Sequence, residues 1–148
     1  MMVERGTWLV PTLTAGDTTD ELAEDPHVPE AVRAKIRGLG HPEFHAFRLA
    51  AEAGVKVAMG TDCPVAPHGT NLNELRHMAE HGFTPQQALV AATSSAAELM
   101  GLQDELGTLE PGKRADLVVV DGDPFAFATL KERIAAVWKD GVRVVPFV

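Results

Sequence analysis

The hydrophobic period of this chain changes near residue 102, and this change limits the folds open to it. Before that point, short apolar runs alternate with helix-length amphipathic segments, a pattern typical of strand–helix units. After it, short β-branched runs are bounded by turns, and Asp140-Gly141 between two such runs is a strong hairpin signal. We therefore predict an α/β chain with two parts: strand–helix units over residues 1–102 and antiparallel strands over residues 103–148.

Start signals place most elements of the first part. Apolar and β-branched runs predict buried strands over residues 7–10 and 55–59. Four segments are expected to be helical: residues 42–53 with Pro42 at the first position, residues 72–81 with an Asn71 and Glu74 capping box, a helix opened by a Thr84 and Gln87 capping box, and a short helix opened by Ser95 and Glu98.

Residues 15–40 are polar and acidic, and Pro26 and Pro29 interrupt them. We predict a long loop here, with one short helix over residues 31–37. A solvated surface loop and a lid over a functional site are both consistent with this composition, because long loops in compact domains are often functional.

Composition excludes several classes of function. The 148 residues are 45% hydrophobic and 23% charged, which suits one domain with a real core. A net charge of -8 argues against a nucleic-acid partner, because nucleic-acid affinity comes largely from Lys and Arg. No apolar run approaches the roughly 20 residues of a membrane-spanning helix. Cys63 is the only cysteine, so an internal disulfide is excluded, and we expect a cytoplasmic protein.

Asp62 is the main candidate for chemistry. It follows the predicted strand over residues 55–59, and α/β barrels place catalytic groups at that end of their strands. Gly60 would let the backbone approach a ligand closely, and Thr61 can orient the carboxylate. Taken alone, a strand-ending turn with Asp62 as a local cap explains the same residues. His68 shares the loop and could face a pocket.

The remaining histidines have simpler explanations. His77 and His81 share a helix face, but the glutamate of a metalloprotease helix directly follows the first histidine, whereas here it is Glu80. We expect that pair to lie on a solvated face. His41 precedes Pro42, so we expect it to act as a helix cap rather than as a ligand.

Several ordered motifs together resemble the C-terminal part of the amidohydrolase superfamily, in its imidazolonepropionase and Xaa-Pro dipeptidase-like group. The resemblance covers about residues 50–146, and upstream of it the segment over residues 6–13, with its Val10-Pro11-Thr12-Leu13, is similar to the seventh barrel strand. The motifs are residues 54–62, ending in Gly60-Thr61-Asp62; residues 68–71 with Glu74-Leu75; Thr84-Pro85 with Ala92-Thr93; and residues 107–113 with Ala115-Asp116-Leu117-Val118.

The resemblance implies a fold and a set of roles. It implies that residues 1–102 are the seventh and eighth strand–helix units of a metal-dependent (β/α)8 TIM-like barrel, and that residues 103–148 belong to a small β-sandwich. It also implies that Asp62 binds a metal and takes the proton from the attacking water. Because His68 shares the loop with Asp62, we expect it to lie at the substrate. One or two divalent metal ions, zinc in the first place, are the implied cofactors.

Length sets the last expectations. A complete barrel takes about 250 residues, so 148 residues with two barrel strands cannot close one. We expect the C-terminal portion of an enzyme that hydrolyses a C–N bond in a small-molecule amide, cyclic amide or prolyl dipeptide, inactive without its N-terminal part. Homo-oligomer formation stays open. Asp62 and His68 are too few ligands for zinc, so no stoichiometric zinc is expected. The alternative is a non-catalytic fragment or half-subunit that pairs with a separate N-terminal part.

Overall fold

The computed structural model describes residues 1–144, which form a mixed α/β structure with two small sheets. The elements in chain order are β1 (Trp8–Leu9), α1 (Thr14–Glu24), α2 (Glu30–Leu39), α3 (Pro42–Glu52), β2 (Lys56–Val57), α4 (Asn73–Glu80), α5 (Pro85–Ala92), α6 (Ser94–Leu99), β3 (Leu117–Val120), two 3-10 turns (Phe127–Thr129 and Lys131–Arg133), β4 (Ile134–Lys139) and β5 (Val142–Val144). No helix among these is long and apolar enough to cross a membrane.

Strands β1 and β2 pair in parallel, with Trp8 opposite Lys56 and Leu9 opposite Val57. The pairing continues beyond the regular strands, because the Ala58 amide donates to the Leu9 carbonyl at 3.1 Å. Both strands lie where the sequence predicts them but are shorter. Helices cover this pair, and the main core is formed by Leu13, Phe47, Val57, Leu75, Met78, Ala88, Ala91, Phe127 and Leu130.

The loop predicted over residues 15–40 is wrong where α1 forms, whereas the short helix predicted over residues 31–37 is confirmed and is slightly longer, as α2. The sequence does not predict α1, because Gly16 and several threonines have low helix propensity and no side chain near the start of the helix caps it. The Glu74 carboxylate, 60 residues away, accepts hydrogen bonds from the Thr14 amide at 2.8 Å and from the Leu13 amide at 2.9 Å. Tertiary structure therefore supplies the start signal that the local sequence lacks.

The predicted capping boxes have different outcomes. The Thr84 and Gln87 box is confirmed, with both reciprocal hydrogen bonds present. The Asn71 and Glu74 box is wrong, since α4 begins without a side-chain cap and Glu74 serves α1 instead. Helix α6 also lacks a side-chain cap, and Glu98 pairs with Lys56 at 2.7 Å.

The antiparallel sheet has the order β3-β4-β5. The predicted hairpin is confirmed: Asp140 and Gly141 have φ values of 51° and 77°, as a tight two-residue turn requires. Asp116 holds the turn, because its Oδ1 accepts a hydrogen bond from the Asp140 amide at 2.7 Å. Strand β3 pairs antiparallel with β4, with a register shift after Val119. Val145, predicted to end the second hairpin strand, lies outside the described residues.

Candidate functional site

Asp62 lies in the loop that follows β2, on the side of its C-terminal end. The residue has a φ of 55°, and Thr12, which follows β1, has a φ of 50°. Positive φ is uncommon for residues other than glycine, and such strain is concentrated at functional sites. Two neighbouring parallel strands thus lead into backbone of the same unusual conformation, and one of these positions carries a carboxylate.

The Asp62 side chain is exposed and forms no hydrogen bond to any residue between 1 and 144. Its backbone is fixed, since the Asp62 carbonyl accepts from the Val65 amide at 2.8 Å. Thr61 Oγ1 lies 3.2 Å from the Cys63 sulfur and does not orient the carboxylate as expected from the sequence. The carboxylate is therefore free to accept a metal or a proton on a constrained backbone.

Gly60 is needed for a reason other than the close approach of a ligand. A Cβ atom at this position would overlap Cγ1 of Val10, the residue that follows β1. The space above Gly60 is thus filled by this chain, so its expected role beside a ligand has no support in the packing. The glycine instead allows the two strand ends to lie against each other.

His68 lies exposed in the same loop as Asp62. The loop is closed by Thr70, whose hydroxyl donates to the Pro67 carbonyl at 2.6 Å. The geometry neither joins His68 to Asp62 nor tests its expected place at the substrate. Its role stays a prediction.

His77 is buried, so the solvated face predicted for the His77 and His81 pair is wrong. The His77 side chain is only 6% exposed, and its Nε2 lies 2.9 Å from Oδ2 of Asp17 on α1. Phe44 on α3 stacks on the His81 ring with centroids 4.0 Å apart. The sequence does not predict this environment, because it predicts no helix for the segment that contains Asp17.

His41 occupies the N-cap position of α3, but its side chain does not cap the helix. Its ring lies between two acids, with Nδ1 2.9 Å from Glu43 Oε1 and Nε2 3.3 Å from Asp20 Oδ2. The hydrogen bond to Glu43 raises the pKa of His41 above its ordinary value, and the charge of Asp20 adds to this against the effect of burial. Burial, followed by the neighbouring His77, lowers the pKa of His81.

The structure brings together three side chains of types that can bind a metal, two of which were expected on a solvated face. One ring nitrogen each from His77 and His81 and one carboxylate oxygen of Glu80 lie within 4.8 Å of one another. The signal in the sequence was their spacing of three and four residues, which places all three on one side of a helix. The expectation that the chain holds no stoichiometric zinc counted only Asp62 and His68 and left this trio out.

Comparison with protein families gives a match to the amidohydrolase family over residues 1–148. Ochratoxinase from Aspergillus niger is 34% identical over 113 residues, which are 73% of this chain and 23% of that protein. Imidazolonepropionase from Rubrobacter xylanophilus is 32% identical over 139 residues, which are 90% of this chain and 33% of that protein.

Solved structures give the same grouping. A Xaa-Pro dipeptidase crystallised with methionine in its active site superposes with a TM-score of 0.86 at 40% identity, over 97% of this chain and 36% of that one. A prolidase in complex with N-methylphosphonate-L-proline gives a TM-score of 0.82 at 31% identity, over 97% of this chain and 36% of that one. The chain thus spans about a quarter to a third of the length of these relatives. It belongs to the amidohydrolase family, in the imidazolonepropionase and Xaa-Pro dipeptidase-like group.

Proposed function

We propose that this chain is the C-terminal portion of a metal-dependent amidohydrolase that hydrolyses a C–N bond, with Asp62 as its metal ligand and proton acceptor. The observation that carries the proposal is the free Asp62 carboxylate, which lies past the C-terminal end of a parallel strand in a chain of this family. The substrate class is a small-molecule amide, a cyclic amide or a prolyl dipeptide, in keeping with the names of the relatives.

The residues present suit one part of such a metal centre. An exposed carboxylate without a hydrogen-bond partner in the described chain is a suitable ligand for a divalent ion, and carboxylate oxygens are among the usual ligands of zinc. When bound, the ion lowers the pKa of a coordinated water toward about 7. Asp62 would hold that water by one oxygen and take its proton. A positioned acid or base of this kind typically contributes roughly 10²–10⁴-fold to the rate.

Asp62 alone cannot hold the ion, because a catalytic zinc takes three protein ligands. The other ligands would come from the part of the relatives that this chain does not span. Within residues 1–144, β1 and β2 pair only with each other, so each has an outer edge that a neighbouring barrel strand could use. The proposed partner of this chain is therefore the N-terminal part of the barrel.

Asp62→Asn in the full-length protein tests the assignment. Asparagine tolerates positive φ as aspartate does, so the loop should keep its conformation. We expect turnover of a prolyl dipeptide or another amide substrate to fall by at least about 100-fold, with an unchanged melting temperature. Asp104→Asn, at an exposed position on a surface turn, is the matched control. Full activity of Asp62→Asn would remove Asp62 from the mechanism.

A non-catalytic half-subunit is the second candidate, and the exposed valines of the antiparallel sheet favour it. Val118, Val142 and Val144 are 55%, 69% and 40% exposed, so this sheet has an apolar face that a second chain could cover. Coexpression of this chain with the coding sequence directly upstream distinguishes the two candidates. A stable complex that hydrolyses no amide would support the half-subunit, whereas an active complex would support the enzyme.

A further inference from the structure

Helix α4 and its C-cap residue His81 carry three side chains of types that can bind a metal, and the proposed hydrolase has no use for them. His77, Glu80 and His81 project from one side of the helix, with their nearest ligand atoms within 4.8 Å of one another. We propose that His77, Glu80 and His81 hold one divalent transition-metal ion at a site separate from Asp62. With this trio counted, one ion per chain is expected where the sequence alone predicts none.

Asp17 supports the proposal by its contact with His77. A histidine that binds a metal usually donates its other ring N–H to a carboxylate, which fixes the tautomer and the direction of the ring. Oδ2 of Asp17 lies 2.9 Å from Nε2 of His77, which Nη2 of Arg76 also approaches to 3.3 Å, and the tautomer with its proton on Nε2 has this relation to Asp17. The remaining nitrogen, Nδ1, is the one that such an arrangement leaves for the metal.

The unused ring nitrogens are the independent observation. Nδ1 of His77 and Nδ1 of His81 are both buried and have no hydrogen-bond partner within residues 1–144. Buried polar atoms without a partner are rare, because each loses its hydration without compensation. Coordination of one ion by these nitrogens would satisfy both atoms. No other contact of the described residues does so.

The ligand types indicate the kind of metal. Two imidazoles and one carboxylate suit zinc and similar ions, whereas magnesium and calcium prefer oxygen ligands alone. Tetrahedral zinc brings its ligand atoms to roughly 3.4 Å from one another, so the side chains must close inward by rotation. Arg76 lies 3.1 Å from Glu80 Oε2, but this ion pair is exposed and therefore weak, so it is easily displaced.

Cobalt(II) titration of the full-length protein tests the site, because the absorption spectrum of bound cobalt reports coordination number and occupancy. We expect the wild-type protein to bind one equivalent more than His81→Gln. Asp17→Asn keeps the side-chain shape and should weaken binding at this site by about 10–100-fold, the usual effect of removing a carboxylate behind a metal-bound histidine. If His81→Gln fails to fold, Glu80→Gln replaces it in the titration, because it removes a proposed ligand whose side chain is half exposed.

His45→Gln is the matched control, because His45 is an exposed histidine on α3. The His45→Gln variant should bind as much cobalt as the wild-type protein. Circular dichroism confirms the fold of each variant. Equal cobalt stoichiometry and affinity in the wild-type protein and a folded ligand variant would overturn the proposal. Hydrolysis is not the readout, so failure of this site is distinguishable from failure of the function proposed for Asp62.

Discussion

Glu74 on α4 closes the first turn of α1 through Thr14, to which it is joined by two hydrogen bonds. Its Oε2 accepts from the Thr14 amide at 2.8 Å and from the Thr14 hydroxyl at 2.7 Å, and the carboxylate is fully buried. A negative charge at a helix N-terminus is favourable because the helix dipole is positive there. Since α1 follows β1 and α4 follows β2, this contact fixes the two strand-to-helix connections relative to each other.

Glu74→Gln should destabilise the protein although it changes little in size. The amide group offers one acceptor oxygen in place of two, so a buried donor of the α1 N-terminus loses its partner, at a cost of about 1–3 kcal/mol. Urea denaturation measures the loss. Glu80→Gln, on the same helix, is the control in metal-free buffer, because its exposed ion pair with Arg76 contributes at most about 1 kcal/mol. Equal unfolding free energies for the two variants would contradict this role of Glu74.

Gly60→Ala should strain the contact between the two strand ends. The new methyl group would overlap Val10, and the β-branched Val10 side chain has little rotamer freedom to move away. We expect a loss of about 1–3 kcal/mol, the usual cost of overpacking. Val10 is 43% exposed, so Val10→Ala alone should cost little. Combined with Gly60→Ala, it should restore most of the stability, and a double variant as unstable as Gly60→Ala would exclude this cause.

Local signals made part of the structure predictable. The Thr84 capping box and the Asp140-Gly141 hairpin are specified by residues within four positions of each other, so their prediction needs no knowledge of the fold. The position of Asp62 after the C-terminal end of β2 was predictable in the same way, from an apolar run and the residues directly after it. These features are correct because neighbouring residues determine them.

The missed helix α1, the wrong Asn71 and Glu74 capping box and the misplaced His77 share one physical origin, the packing of α1 on α4. Helix α1 depends on Glu74 for its N-terminal hydrogen bonds, and a local reading assigned Glu74 to its own helix. Without α1, nothing in the sequence places Asp17 beside His77, so His77 looked solvated. The candidate metal trio was missed for the same reason, because its burial depends on α1 and α3.

His41 should make stability depend on pH in a defined direction. Its pKa is raised in the folded state, so the folded protein binds the proton more tightly than the unfolded chain. The stabilisation is therefore fully present below the unfolded pKa of about 6.5 and is lost as the pH rises through the folded pKa. The lowered pKa of His81 acts in the opposite direction. The pH dependence of the unfolding free energy of the wild-type protein therefore combines the two effects.

Comparison of His41→Gln with the wild-type protein isolates the contribution of His41. The difference in unfolding free energy should be largest near pH 6 and should shrink toward about pH 9, as His41 loses its proton in the folded state. Urea denaturation across this range measures it. His45→Gln, at an exposed position on α3, should show no such trend. A His41→Gln difference that grows with rising pH would have the wrong sign for this ion-pair cluster.

The β3-β4-β5 sheet should make the 148-residue chain self-associate when it is expressed alone. Val118, Val137 and Val144 lie directly opposite one another across the three strands and so share one face. Val118 and Val144 on this face are 55% and 40% exposed, and β3 and β5 each have an outer edge without a partner strand in the described chain. Exposed apolar faces and free strand edges both favour association.

Val118→Lys tests this expectation, because it places a charge in the row of valines while leaving the hairpin turn intact. The fraction of monomer in dilute solution, measured by light scattering after size-exclusion chromatography, should rise relative to the wild-type chain. Val32→Lys adds the same charge at an exposed valine of α2, outside the sheet, and should have a smaller effect. If both variants increase the monomer equally, net charge rather than the sheet controls association. A wild-type chain that is already monodisperse and melts cooperatively as a monomer would show that this face needs no partner and would contradict the expected self-association.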